Sequence, residues 1–149
     1  MLTFRLANTK YDHGWCVLIR TLAFEVELNV DIALEIDEHE DDCRHILCLD
    51  NDRPCATARW RRYRPGIVKI ERVAVLRSSR GRNVGSALMK HVMSDASDNG
   101  SDCLGFLLEA QEYAVPFYEK LGFHVVGEPF LEANIIHYTM EKTVPGRSS

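Results

Sequence analysis

Apolar positions along the chain switch between the two-residue period of strands and the longer period of helices, and the switches predict an order of elements. Residues 2–7 suit a first strand, and 10–28 a helical region with Trp15, Leu18, Leu22 and Phe24 available for burial. Leu28 to Glu40 is acidic and irregular, with room for a short second helix. Residues 45–50 and 54–63 read as strands joined by the turn Asp50-Asn51-Asp52-Arg53, and a strand over 67–76 follows the Pro65-Gly66 turn. Val84, Leu88 and Val92, flanked by Ala87 and Ala96, recur at helical spacing and predict a helix over 81–98. A short apolar strand over 103–109 comes next. Ala114, Phe117, Tyr118 and Leu121 then share one helical face over 112–121, with Pro116 in the first turn and Gly122 as the stop. Strands near 123–127 and 135–141 complete the order β-α-β-β-β-α-β-α-β-β.

The joint between the strand at 67–76 and the helix after it carries the most chemistry. Ile70, Val73, Ala74 and Val75 suit a buried strand. Gly81 and Gly85 strip side chains from the following turn, and Arg77, Arg80 and Arg82 surround it with positive charge. A helix N-terminus behind such a turn offers free N–H groups and a positive dipole end, which together form a site for phosphate. No two glycines are separated by a single residue, so the dinucleotide fingerprint is missing. Neither Gly-Lys-Ser nor Gly-Lys-Thr occurs in the turn, so the nucleoside-triphosphatase loop is missing too.

What remains, Arg80-Gly81-Arg82-Asn83-Val84-Gly85, resembles the pyrophosphate-binding motif of the GNAT acetyltransferases, which holds acetyl-coenzyme A. Asn83 stands where that family prefers glycine, and asparagine tolerates left-handed backbone better than most residues. Downstream, Phe117-Tyr118 followed by Gly122-Phe123 resembles the signature of the family's fourth helix. Glu35-Ile36-Asp37-Glu38, the Arg59-Trp60-Arg61 run and Ile136-His137 are similar to its ElaA/YjcF-type branch. The resemblance implies an α/β (α+β) fold with a mixed, mostly antiparallel sheet of about seven strands and helices on both faces. It also implies that the strands ending near Val75 and Glu109 splay apart, and that the pantetheine arm of the cofactor lies in the opening.

Composition bounds the remainder. At 149 residues and 46% hydrophobic content, one domain over residues 1–142 is expected, with a frayed tail over 143–149. No segment is long and apolar enough to span a membrane, and the N-terminus lacks a signal-peptide pattern. Five cysteines without a Cys-x-x-Cys pair suggest reduced thiols and a cytoplasmic protein. A net charge of −4 speaks against nucleic-acid binding. His39, Cys43, His45 and Cys48 are zinc-ligating types, yet their spacing crosses from a loop into a strand where alternate side chains oppose; no metal site is expected. Homodimers are common for this fold, and no heptad or defined apolar patch in the chain marks one.

Site roles follow from the resemblance. The backbone from Arg80 through Gly81, Arg82, Asn83, Val84 and Gly85 to Ser86 would meet the pyrophosphate. Val73 and Val75, with Ala74 between them, would pair with the pantetheine, and Gln111 and Tyr118 would complete the cofactor contacts. The Val73 N–H would polarise the thioester carbonyl. Tyr118 would protonate the departing thiolate, since phenol and thiol reference pKa values are close, roughly 10 against 8.5. For the base, Glu71 on the cofactor strand, His137 near the C-terminus and a water chain all stay open. Acceptor contacts are expected from Glu35, Asp37, Arg59, Arg72, Gln111 and His137. Arg59, Arg61, Arg62, Arg64, Lys69 and Arg72 lie on adjoining strands with no acidic residue between 53 and 70, which suggests a phosphate or carboxylate on the acceptor. Glucosamine 6-phosphate suits such a site, its amine meeting the acidic loop. The function expected is acetyl transfer from acetyl-coenzyme A to the primary amine of a small molecule. The alternatives are a protein or peptide acceptor, or a sensor that holds acyl-coenzyme A without turning it over.

Overall fold

The structure, a computed structural model, describes residues 1–26, 28, 37–99 and 102–144. Strands β1 (Leu2–Leu6), β2 (Arg44–Asp50), β3 (Arg53–Arg64), β4 (Ile67–Val75), β5 (Gly105–Gln111), β6 (His124–Glu132) and β7 (Ile135–Thr143) form one sheet in the order β1-β2-β3-β4-β5-β7-β6. Every neighbouring pair is antiparallel except β4 with β5. Helices α1 (Lys10–Arg20), α2 (Val84–Asn99) and α3 (Val115–Lys120) complete the domain. This is the mixed seven-stranded architecture expected. Among the described residues no helix is long and apolar enough to cross a membrane.

Alternation along β2 explains the two layers. Ile46 and Cys48 join a core with Leu88, Met89, Val92 and Phe106, whereas Leu47 and Leu49 join one with Cys16, Ile19 and Ala23. A strand covered on both faces reads as a continuous apolar run, which is what Ile46 to Leu49 shows. Between β2 and β3, Asn51 (φ 49°) and Asp52 (φ 69°) both take positive φ, the hairpin turn whose twist matches its flanking strands.

Three departures from the sequence reading matter. The first helix stops at Arg20 and gives way to π-type turns over Thr21–Val26. Its buried positions are Asp12, Cys16, Ile19 and Arg20, while Leu18 and Leu22 are exposed. Trp15 and Phe24 pack on the inner layer as expected, but hydropathy misplaced Leu18 and Leu22 because the inward side also carries charges that find partners: Asp12 meets Arg5 of β1 at 2.9 Å through both oxygens. Residues 143 and 144, expected to be frayed, are ordered: Thr143 closes β7 and buried Val144 donates its N–H to the Leu104 carbonyl at 2.8 Å. Leu28 to Glu40 is only partly described: Glu40 opens a 3-10 turn, and 29–36 lie outside the described residues, as do 145–149.

Two features of β4 open the sheet. It pairs with β5 only at Ile67–Gly105, Val68–Phe106 and Lys69–Leu107, so beyond Lys69 the strands part. Along its other edge, Thr57 faces Ala74 while Arg59 faces Glu71, so β4 carries one residue more than β3 over this stretch. That bulge is at Arg72, whose φ is 55°. Bulges leave a residue outside the ladder and re-aim side chains.

Candidate active site

A cavity of about 480 Å³ occupies the opening. Ile70 to Val73 form one wall and Leu108 to Gln111 the other; Tyr118, Ile135 and His137 reach it from α3 and β7, and Asp37 to His39 from the segment before β2. The strand register sets Gln111 opposite His137. Both line the cavity.

His137 is buried, stacks on Phe130 with centroids 5.6 Å apart, and has Nδ1 2.7 Å from the Ile135 carbonyl. A carbonyl can only accept, so Nδ1 carries a proton, and in the neutral imidazole the lone pair is then on Nε2. That is the tautomer a general base requires. Tyr118 is buried between Phe117 (5.0 Å) and Phe123 (6.0 Å). Burial, with a lesser contribution from Tyr113, pushes its phenol above the usual range, so the hydroxyl stays protonated and available to donate.

Glu71 has the opposite character. Burial pushes its carboxyl up, but Arg59 at 3.4 Å, Arg61 at 2.9 Å and Lys69 at 3.6 Å outweigh that and hold it below its usual range. A carboxylate so stabilised as an anion is a weak base, and catalytic bases work best with a pKa near the operating pH.

The arginine run is also differently employed than its sequence suggests. Arg59 is fully buried and does not line the cavity. Its guanidinium donates to Glu40 Oε1 at 2.8 Å and Asp37 Oδ2 at 2.9 Å. The expected contact between Arg59 and the acceptor is corrected accordingly. Arg61 is held by Glu71, and Arg72, on the cavity wall, approaches Asp37 Oδ2 at 3.3 Å. Burial raises the Asp37 carboxyl while the Arg59 hydrogen bond and charge lower it, and it settles at about 2. Glu35 lies outside the described residues. Around the cavity, the carboxylates of Asp37, Glu38, Glu71, Glu109 and Glu132 outnumber the cations Arg61, Lys69 and Arg72. Glu109 and Glu132 come from β5 and from the end of β6, distant in sequence from the arginines, so no local pattern reveals the balance.

The turn before α2 has the geometry its sequence implies. Arg77–Ser79 form a 3-10 turn, Gly81 (φ 80°) and Asn83 (φ 62°) take left-handed backbone, and α2 begins at Val84. Its first backbone bond is Ala87 N–H to Asn83 O at 3.1 Å, which leaves the N–H groups of Val84, Gly85 and Ser86 ahead of the helical ladder. A Cβ on Gly85 would sit 3.3 Å from the Phe117 ring, so glycine lets α2 close on α3. Arg80 Nε donates to the Val75 carbonyl at 3.0 Å, and Arg82 pairs with Asp50 at 3.2 Å. Val73 lines the cavity beside the bulge, and Ala74 is buried against the α1 layer.

His45 and Cys48 face apart, as alternation requires: His45 Nε2 lies 2.7 Å from the Glu40 carbonyl, and the Cys48 sulfur lies 3.7 Å from that of Cys55. His45 meets instead His13 and Glu40, whose ligand-type atoms fall within 4.8 Å of one another. Glu40 already holds the Arg20 and Arg59 guanidiniums, which leaves a dication little to neutralise. The sequence reading missed this cluster because His13 and Arg20 come from α1.

Residues 23–144 match the acetyltransferase (GNAT) domain family. The chain is 42% identical over 125 residues to the uncharacterized N-acetyltransferase YjcF of Bacillus subtilis, covering 83% of this chain and 87% of that protein. It is 33% identical over 129 residues to the ElaA protein of Escherichia coli, covering 85% and 84%. The crystal structure of Escherichia coli ElaA superposes with a TM-score of 0.84 at 28% identity, over 95% of this chain and 99% of that one. An aminoglycoside 6'-N-acetyltransferase complexed with coenzyme A has the same fold, with a TM-score of 0.75 at 15% identity over 100% and 99% of the two chains.

Proposed function

The chain belongs to the GNAT acetyltransferase family, of the ElaA/YjcF type, and is an acetyl-coenzyme A-dependent acyltransferase; on that premise we propose that its acceptor is a small cationic amine and that His137 is the base. The observation that carries this reading is the anchored His137 imidazole, with Nδ1 committed to the Ile135 carbonyl, on a cavity wall shared with Tyr118.

In this scheme the pyrophosphate sits on the N–H groups at the start of α2, and the pantetheine runs along β4 into the opening between β4 and β5. The acceptor's ammonium loses a proton to His137 Nε2, and the amine attacks the thioester carbonyl carbon. Charge then develops on the carbonyl oxygen, where the Val73 N–H beside the bulge donates to it. The C–N bond forms, the C–S bond breaks, and the Tyr118 hydroxyl gives its proton to the leaving thiolate; the acylated nitrogen then loses its second proton, which restores the phenol, and His137 releases the first to solvent. Gln111, opposite His137, is available to orient either substrate.

A cationic acceptor follows from the carboxylate excess around the cavity. The phosphate of glucosamine 6-phosphate would have to draw Arg61 and Arg72 away from Glu71 and Asp37, which already hold them. The test compares His137→Gln with Glu71→Gln at saturating acetyl-coenzyme A. Loss of a general base costs about 10²–10⁴ in kcat, and that loss is expected for the histidine variant alone. A large loss in the glutamate variant with the histidine variant active would reverse the assignment. Acetyl-coenzyme A binding without turnover on any amine would return the sensor reading.

A further inference from the structure

We infer that Arg59 is a positioning residue for the acceptor: it touches neither substrate and acts by holding Asp37 on the cavity wall. Its guanidinium is a node between three carboxylates from two segments, Asp37 and Glu40 before β2 and Glu71 on β4. The three do not depend on it equally. Without Arg59, Glu40 keeps two hydrogen bonds from Arg20, and Glu71 keeps Arg61 and Lys69. Asp37 keeps the His39 N–H at 3.0 Å on Oδ1 and Arg72 at the longer distance of 3.3 Å on Oδ2. Its Oδ2, the oxygen turned to Arg72, is thus the one whose shortest contact is Arg59.

The geometry favours a directional role over a generic buried charge. One guanidinium nitrogen holds Glu40 at 2.8 Å and the other holds Asp37 at 2.9 Å, so the planar fork fixes the spacing between the two residues. Arg59 Nε is buried without a hydrogen-bond partner. An arrangement serving stability alone would be expected to satisfy that donor. Asp37 in turn reaches Arg72 at the left-handed bulge of β4 and lines the cavity beside it. The chain Glu40–Arg59–Asp37–Arg72 therefore ties the segment before β2 to the strand expected to carry the thioester.

This inference rests on the reading that the acceptor amine occupies the cavity, and a double-mutant cycle separates the two. Coenzyme A release is followed with 1,4-diaminobutane as the amine at saturating acetyl-coenzyme A, for wild type, Arg59→Lys, Asp37→Asn and the double variant. Lysine keeps the buried charge but cannot hold Glu40 and Asp37 together. Each single change is expected to lower kcat/KM for the diamine about tenfold, and the double variant to be no worse than Asp37→Asn alone, because coupled residues are non-additive. The KM for acetyl-coenzyme A is expected to stay within about twofold of wild type, a split that a general loss of folding would not produce. Penalties that multiply, or an Arg59→Lys variant impaired equally for both substrates, would overturn the positioning role while leaving the acceptor reading standing. A diamine that wild type does not turn over, or an Asp37→Asn variant with unchanged kinetics, would overturn the acceptor reading and this inference with it.

Discussion

The two ends of the opening are built in different ways. The turn from Arg77 to Ser86 is local, and it works through backbone: left-handed Gly81 and Asn83, a side-chain-free Gly85, and the N–H groups that start α2. The end proposed for the acceptor gathers Asp37, Arg72, Gln111, Glu132 and His137 from five separate stretches of chain, and it is built from side chains, with Asp37 paired to Arg72 and His137 held by the Ile135 carbonyl. Backbone sites tolerate changes of side chain so long as φ and close approach are kept, whereas paired side-chain sites lose their geometry when one partner goes. Substitutions at the two ends should accordingly fall on different substrates.

The largest effect is expected at Tyr118, where the two substrates are proposed to meet. Tyr118→Phe keeps the packing against Phe117 and Phe123 and removes the proton donor, so kcat should fall about 10²-fold with little change in either KM. Steady-state kinetics with both substrates varied checks this; unchanged turnover would remove the acid role. Next comes Gly85→Val, which drives a side chain into the Phe117 ring. Coenzyme A affinity measured by calorimetry should drop about tenfold or more, with the amine KM moving far less. Equal losses for both substrates would erase the contrast between the two ends.

A pH effect sharpens it from the other side. The carboxyls of Asp37 and Glu40 each settle at about 2 in the folded chain, because hydrogen bonds and charge from Arg59 and Arg20 outweigh the upward push of burial. With pKa values below those of the unfolded state, both carboxylates stabilise the fold above the ordinary carboxylate range, and that contribution disappears as pH falls from about 4 towards 2. Glu40, the more buried, should contribute on the order of 3 kcal/mol. Denaturant unfolding at pH 6 and pH 3 should show a smaller difference for Glu40→Gln than for wild type. The smallest change is expected for Arg82→Ala: an exposed arginine paired with Asp50 should shift the KM of acetyl-coenzyme A by no more than about threefold.

Much of this was legible in the sequence, and the limits have physical causes. The order of strands and helices emerged because their apolar periods are clean, and the turn before α2 because its special residues are contiguous. The left-handed conformation of Asn83 uses the tolerance that its residue type offers. The inward face of α1 was not, since Asp12 and Arg20 are buried by partners that hydropathy does not register. Nor could the arginine run be read correctly. Between residues 53 and 70 it has no acids, but folding brings Asp37, Glu71, Glu109 and Glu141 against it. A run of like charge in sequence became a nearly neutral lattice in space, and the excess at the cavity reversed sign.

That reversal is best tested by coenzyme A release at saturating acetyl-coenzyme A with 1,4-diaminobutane, glucosamine and glucosamine 6-phosphate measured side by side. The carboxylate-rich cavity predicts the highest kcat/KM for the diamine and the lowest for the phosphorylated sugar. A clear preference for glucosamine 6-phosphate would contradict the account and show that the phosphate draws Arg61 and Arg72 from their carboxylates.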